Sequence, residues 1–269
     1  MSGSFLEEVV AHVIADSRAP TYARGVPAER LRSPPSFAAA IRAEQAGGAL
    51  VVEYKRASPG SAAPLPDPRS PEEFVEATEV GGVVAYSCLA TAHRFDGAPG
   101  RVAEFAALTA RPVLFKEFVV NRRQLEVAAR TGAAAVLLIA RLAVEGLLTE
   151  PLADLAAEAH ARGLEVLLEL HDPAELSLVD GVEANVYGVN TRDLSTLAFE
   201  RSRAYETIAG AALGGLRPLL GLSGVERPSD AQEFWSRGCD GLLVGTAVAR
   251  SQDPASFLSS LRRPERGPS

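Results

Sequence analysis

The sequence predicts an α/β chain folded as a single eight-stranded parallel barrel, a (β/α)8 barrel with a helical extension in front. Two observations carry that expectation. Eight short, nearly continuous apolar runs follow one another from residue 49 onward, and longer segments with helical periodicity separate most of them. Strands buried on both faces read as unbroken apolar runs, and intervening helices are what a parallel sheet needs for its crossovers. Eight such units in roughly 200 residues suit a closed barrel. An open doubly wound sheet is the competing arrangement, and it is weakened because no GxGxxG follows the first run.

The runs are "ALVVEYK" (49–55), "GVVAYSCL" (82–89), "PVLFKEF" (112–118), "AAVLLIA" (134–140), "LEVLLELH" (164–171), "EANVYGVN" (183–190), "RPLLGLSG" (217–224) and "DGLLVGTA" (240–247). Helical segments between them include "EEFVEATEV", "RVAEFAALTA", "RRQLEVAARTG" and "PLADLAAEAHARG". The last two end in glycine, the residue that most often stops a helix just past its C-terminus. The link from the fifth run to the sixth is short, so a stub of helix is expected there. "MSGSFLEEVVAHVIADSR" reads as an amphipathic helix with acids in its first turn. The expected organisation is a helical extension over 1–48, a barrel over 49–261 and a disordered polar tail over 262–269.

Composition narrows the function classes. A net charge of −7 and a pI of about 5.3 give no sign of a nucleic-acid footprint, which would need a basic face. The longest apolar runs are about eight residues, too short to span a bilayer. The N-terminus lacks the layout of a signal peptide, so a cytoplasmic protein is expected. Cys88 and Cys239 match no metal-ligand spacing and are expected to be buried thiols. The four histidines, His12, His93, His160 and His171, form no HExxH or His-x-His pattern, so no metal is expected.

Lysine usage is the most informative feature. Of 27 basic residues only two are lysines, Lys55 and Lys116, and both end apolar runs. Two lysines placed at random would both fall at strand ends on the order of 1–2% of the time. Burial and neighbouring charge tune a lysine pKa, so lysine can give up and recover a proton, whereas arginine stays charged. Alternate strand residues share a side, which pairs Glu53 with Lys55, Glu169 with His171, and Asn190 with Arg192. Active sites of such barrels sit at the carboxyl ends of the strands. The seventh and eighth runs end in "LSGV" and "VGTA". Small residues there let backbone N–H groups approach an anion, Ser223 and Thr246 add hydroxyls, and this is the frequent phosphate site of these barrels. The residues thus point to an enzyme acting on a small phosphorylated compound.

Taken together, "VEYKRASP", "LFKEFVV", "VLLELH", "YGVNTRDL", "LSGV" and "LLVGTA" resemble the indole-3-glycerol-phosphate synthase family in order and approximate spacing, over nearly the whole chain. The resemblance implies a cofactor-free carboxy-lyase of tryptophan biosynthesis. Its reaction is ring closure, decarboxylation and dehydration of 1-(2-carboxyphenylamino)-1-deoxyribulose 5-phosphate. It also implies roles. Lys116 would be the general acid at the substrate ketone, and Lys55 an anion-holding lysine that serves in the dehydration. Glu169 would be the base of the later step, with Glu53 orienting the site. Asn190 and Arg192 would hold polar groups of the substrate. Ser223, Gly224, Gly245 and Thr246 would cradle phosphate, with Ser58 in the loop after the first strand. Phe95 and Phe118 would line the anthranilate pocket. Weak association with neighbouring enzymes of the pathway is a further expectation.

Three positions depart from the family pattern. Leu222 stands where Glu-Ser-Gly is usual, and an apolar neighbour there is expected to lower the pKa of Lys116. "LATAHRF" (89–95) replaces Leu-Thr-Glu, so an acid is missing at Ala90-Thr91. "SPGSAAPLP" departs from Ser-Pro-Ser at Gly60-Ser61. All three are expected at the rim where substrate enters. They keep two alternatives open: a diverged relative acting on another aryl or aryl-amino sugar phosphate, and a barrel that binds a phosphorylated metabolite without turning it over.

Overall fold

The structure, a computed structural model, describes residues 4–59 and 69–264. Eight parallel strands close into a barrel in simple sequential order. They are β1 (Ala49–Tyr54), β2 (Val83–Leu89), β3 (Val113–Lys116), β4 (Ala135–Ile139), β5 (Glu165–Leu170), β6 (Val186–Asn190), β7 (Leu219–Leu222) and β8 (Gly241–Val244). β8 pairs back onto β1 in register, Ala49 opposite Gly241 and Val52 opposite Val244, so no sheet edge is left. Every expected run contains a strand, but several strands stop short. Lys55, His171, Ser223 and Gly245 each stand one residue past the end of a strand, where backbone direction is free to turn.

Alternation along the strands divides the core in two. Leu50 and Val52 point outward to the helices, in a cluster with Tyr86, Phe105 and Phe115. Ala49 and Val51 point inward and pack with Leu114, Leu137, Leu167, Leu220 and Leu243. Because every β1 residue is buried, the strand reads as an unbroken apolar run rather than an alternating one.

Helices lie between the strands as expected. Segments Arg122–Arg130 and Leu152–Ala161 are followed by Gly132 and Gly163 with φ of +82° and +69°, the left-handed conformation that glycine adopts without strain. The link from β5 to β6 is a 3-10 stub, Pro173–Gly181.

The N-terminal segment closes both ends of the barrel. Helix Phe37–Glu44 buries Phe37, Ala38 and Ile41 against the inner cluster. Glu165, the first residue of β5, accepts from the Ser36 hydroxyl at 2.5 Å and the Ala38 N–H at 2.7 Å, which pins that helix at the amino ends of the strands. Helix Phe5–Arg18 carries a Ser4/Glu7 capping box and lies toward the carboxyl ends. There Glu8 meets His93 at 2.7 Å, and Asn121 donates to Ser17 at 3.0 Å.

At the other end of the chain, Arg262 pairs with Glu44, and the Arg263 backbone N–H donates to the Gly47 carbonyl at 3.0 Å. Residues 265–269 of the expected tail lie outside the described residues. Cys88 and Cys239 are free and buried, and burial pushes the Cys239 thiol up to about 12. No helix among the described residues is long and apolar enough to cross a membrane.

Candidate active site

A pocket opens at the carboxyl ends of the strands, and all thirteen residues singled out from the sequence line it. Its centre is the Glu53 carboxylate. Oε1 pairs with Lys55 Nζ, and Oε2 lies 2.9 Å from Lys116 Nζ. β1 delivers Glu53 from inside the strand, the next turn delivers Lys55, and β3 delivers Lys116 as its last residue.

On the opposite wall Glu169 Oε1 accepts from Asn190 Nδ2 at 3.0 Å, and Asn190 Oδ1 accepts the Arg192 backbone N–H at 3.0 Å. The Arg192 guanidinium donates to the Leu197 carbonyl at 2.8 Å and lies 4.3 Å from the centre of the Phe199 ring, which fixes its plane. One end of the pocket is aromatic, with Phe95 between Phe5 at 6.4 Å and Phe118 at 5.9 Å. The other end is small and polar. Ser58 and Thr246 hydroxyls are 3.4 Å apart, Lys55 donates to Thr246 at 3.3 Å, and Ser223 and Gly224 both have positive φ. At Gly245 a Cβ would fall 2.6 Å from both Glu53 Oε1 and Lys55 Cε, so any side chain there would have to displace that ion pair.

Electrostatics divide the titratable groups by role. Burial alone would raise the Glu53 pKa, but Lys116 and Lys55 outweigh it and hold the carboxyl down at about 2. Burial also opposes charge on both lysines, with different outcomes. At Lys55 it prevails over the pull of Glu53, and the nearby cations Lys116 and Arg192 add to the lowering. At Lys116 it loses to Glu53 and Glu169 together, and the pKa is raised. For Glu169, burial raises and His171, Lys116 and Asn190 lower, for a net lowering. The centre of the pocket therefore holds two carboxylates that favour the ionised form, Glu53 and Glu169, one firmly protonated lysine and one lysine that releases its proton more readily.

The family model for indole-3-glycerol phosphate synthase matches residues 5–261. The chain belongs to that family. It is 37% identical over 231 residues to indole-3-glycerol phosphate synthase 2 of Streptomyces coelicolor, covering 85% of this chain and 86% of that one. It is 34% identical over 235 residues to the indole-3-glycerol phosphate synthase of Aromatoleum aromaticum, covering 87% of each. Two solved structures share the barrel at 16% identity. One is N-acetylmannosamine-6-phosphate 2-epimerase from Clostridium perfringens, with a TM-score of 0.56 over 77% of this chain and 90% of that one. The other is thiamine phosphate pyrophosphorylase from Pyrococcus furiosus, with a TM-score of 0.57 over 81% and 95%. At that identity the likeness concerns the fold alone.

Of the three positions that depart from the synthase family pattern, one lies away from the rim, one lines the pocket and one falls outside the described residues. Leu222 is not at the rim: it is 1% exposed, does not line the pocket and packs in the inner core beside Gly188. The Lys116 pKa is raised rather than lowered, because Glu53 and Glu169 supply the neighbouring negative charge. At the second departure, Thr91 lines the pocket and donates to Glu117 Oε1 at 2.5 Å, so a hydroxyl stands where the family pattern has an acid. Glu117 also accepts from the Phe118 N–H at 2.9 Å and the Tyr22 hydroxyl at 3.4 Å, and burial pushes it up to about 7. Gly60 and Ser61, the third, lie outside the described residues.

Sequence reasoning also missed pocket residues. Phe5 opens the N-terminal helix, far before β1 in the chain, and nothing in its local pattern separates it from ordinary packing residues. Phe199 follows a turn closed by an isolated bridge to Arg192, a contact invisible to strand or helix periodicity.

Proposed function

We propose that this chain catalyses the indole-3-glycerol phosphate synthase reaction on 1-(2-carboxyphenylamino)-1-deoxyribulose 5-phosphate. The observation that carries the reading is the Glu53 carboxylate bridging Lys55 and Lys116, set between an aromatic end and a small polar end of one pocket. The anthranilate ring fits against Phe95 and Phe118, and the phosphate fits among Ser58, Ser223, Gly224, Gly245 and Thr246.

Lys116, held protonated, donates to the ketone oxygen as the ring carbon bearing the carboxylate attacks it. Loss of CO2 then restores the aromatic ring. Dehydration needs a second acid and a base. Lys55, whose pKa is lowered, protonates the departing hydroxyl, and Glu169 takes the proton released as the indole ring forms. Glu53 keeps both ammonium groups aimed at the substrate, and Asn190 and Arg192 hold its polar groups. In this reading the described residues before β1 close the ends of the barrel, and the enzyme works in the cytoplasm.

Growth of a tryptophan-requiring host that lacks its own synthase tests the proposal. The parent chain is expected to restore growth and Lys116→Arg is not. Failure of the well-expressed, folded parent to do so would overturn it. Of the three departures behind the diverged-relative reading, Leu222 does not line the pocket and lends it no support, whereas Thr91 does line it.

A further inference from the structure

The Glu169 carboxylate is held at one oxygen only. Oε1 accepts from Asn190 at 3.0 Å and lies 3.1 Å from His171 Nε2. Oε2 is buried and has no hydrogen-bond partner among the described residues, and the His171 ring nitrogens meet the two carboxylates at ion-pair distance rather than in hydrogen-bond geometry. On the far side of His171 stands a second carboxylate. Glu175 Oε2 accepts the His171 backbone N–H at 2.7 Å and lies 3.8 Å from Nδ1. Glu175 Oε1 is 2.7 Å from Nε of Arg141, on the short helix Ala140–Val144 that follows β4. His171, Glu169 and Glu175 are all 5% exposed or less. Asp172, next along the chain, pairs away from this row with Arg203 at 3.4 Å.

The row therefore runs Arg141, Glu175, His171, Glu169, with Lys116 acting on Glu169 from the pocket. Charges alternate along it only if His171 is an imidazolium. A neutral ring carries one N–H, so one of its two flanking carboxylates would face a nitrogen lone pair in a buried site.

We propose that His171 is a positioning residue for Glu169: as an imidazolium clamped between two carboxylates, it fixes Oε1 and leaves Oε2 as the oxygen that accepts the substrate proton. The inference rests on the reading of Glu169 as the base. Burial would drive the proton off His171, but Glu169 and Glu175 outweigh it and raise the ring to about 9. At working pH the clamp is closed, and Glu169 is ionised and oriented before substrate arrives.

His171→Gln keeps an amide donor and removes the charge. Its kcat is expected to fall about 10- to 100-fold with KM changed less than about 3-fold. The acid limb of its kcat profile is expected to move up by about one pH unit, because Glu169 loses its cation. An unmoved acid limb, or a loss confined to KM, would overturn the proposal. A second measurement needs no folded His171 variant at all. In the 15N-histidine-labelled parent, the ring whose chemistry changes in Glu169→Gln is expected to be doubly protonated through about pH 8 and to lose that proton at lower pH in Glu169→Gln. A neutral ring at pH 7 in the parent would refute the clamp. Full turnover by Glu169→Gln would remove the base, and the inference with it. An inactive Glu169→Gln beside a His171→Gln with the parent's kcat and acid limb would sink the inference alone.

Discussion

Replacing Glu53 by glutamine isolates what the central carboxylate contributes. The substitution keeps size and shape but removes the charge that lies between Lys55 and Lys116. At an effective dielectric constant of about 20, one pair at the 2.9 Å separation of Lys116 is worth roughly 6 kcal/mol of gross attraction. Burial offsets most of the sum over both lysines. What remains is a pKa lowered from 4.5 to about 2, a net preference for the ionised form of about 3 kcal/mol. Because the folded pKa is depressed, this stability is present above the unfolded pKa and is lost as pH falls from about 4.5 through about 2. Glu53→Gln is therefore expected to be about 3 kcal/mol less stable than the parent at pH 7, narrowing to about 1 kcal/mol at pH 3. Urea unfolding of both proteins at the two pH values measures the gap. Equal stability at pH 7, or a gap that does not shrink in acid, would refute the reasoning.

Other perturbations separate the remaining roles. Lys116→Arg keeps a cation beside Glu53 but no transferable proton, so steady-state assays should show kcat reduced by about 10³-fold or more with KM little changed. Gly245→Ala puts a methyl against Glu53 and Lys55, and is expected to raise the KM for the phosphorylated substrate by about 10-fold or more; an unchanged KM would argue against the cradle. Glu117 behaves oppositely to Glu53. Its pKa is raised from 4.5 to about 7, so its ionisation opposes folding, and stability drains away as pH climbs through that window. Glu117→Gln, whose amide can keep the contacts to Thr91 and Phe118, should match the parent near pH 4 and exceed it by up to about 3 kcal/mol at pH 8, read from thermal or urea unfolding.

The barrel was readable because its strands are buried on both sides, which leaves eight apolar runs, and the doubly wound sheet that could also give such runs lacked its glycine-rich fingerprint. The centre of the site was readable for a chemical reason. A chain that spends arginine everywhere else keeps lysine at two strand ends, and the structure brings those two lysines onto one carboxylate. What stayed hidden depends on contacts between distant segments. Phe5 reaches the pocket only because its helix packs across the carboxyl ends of the strands. Glu117 was visible beside Lys116, yet its partners Thr91 and Tyr22 come from β2's loop and the N-terminal segment. Arg141 is brought to Glu175 by the side-by-side pairing of β4 and β5, whereas Glu175 reaches His171 across only four residues. Leu222 was misjudged for a simpler reason. Strand alternation aims it inward with Leu220, so motif position alone overstated its access to substrate.

The central claim is that the two lysines and two carboxylates at the strand ends close, decarboxylate and dehydrate one phosphorylated anilino sugar. Its most direct test offers the purified protein 1-(2-carboxyphenylamino)-1-deoxyribulose 5-phosphate and follows indole fluorescence together with released CO2. The account predicts one CO2 for each indole formed by the parent, and neither product from Lys116→Arg. Saturable, phosphate-dependent binding of that compound by the parent with no indole formed would contradict it.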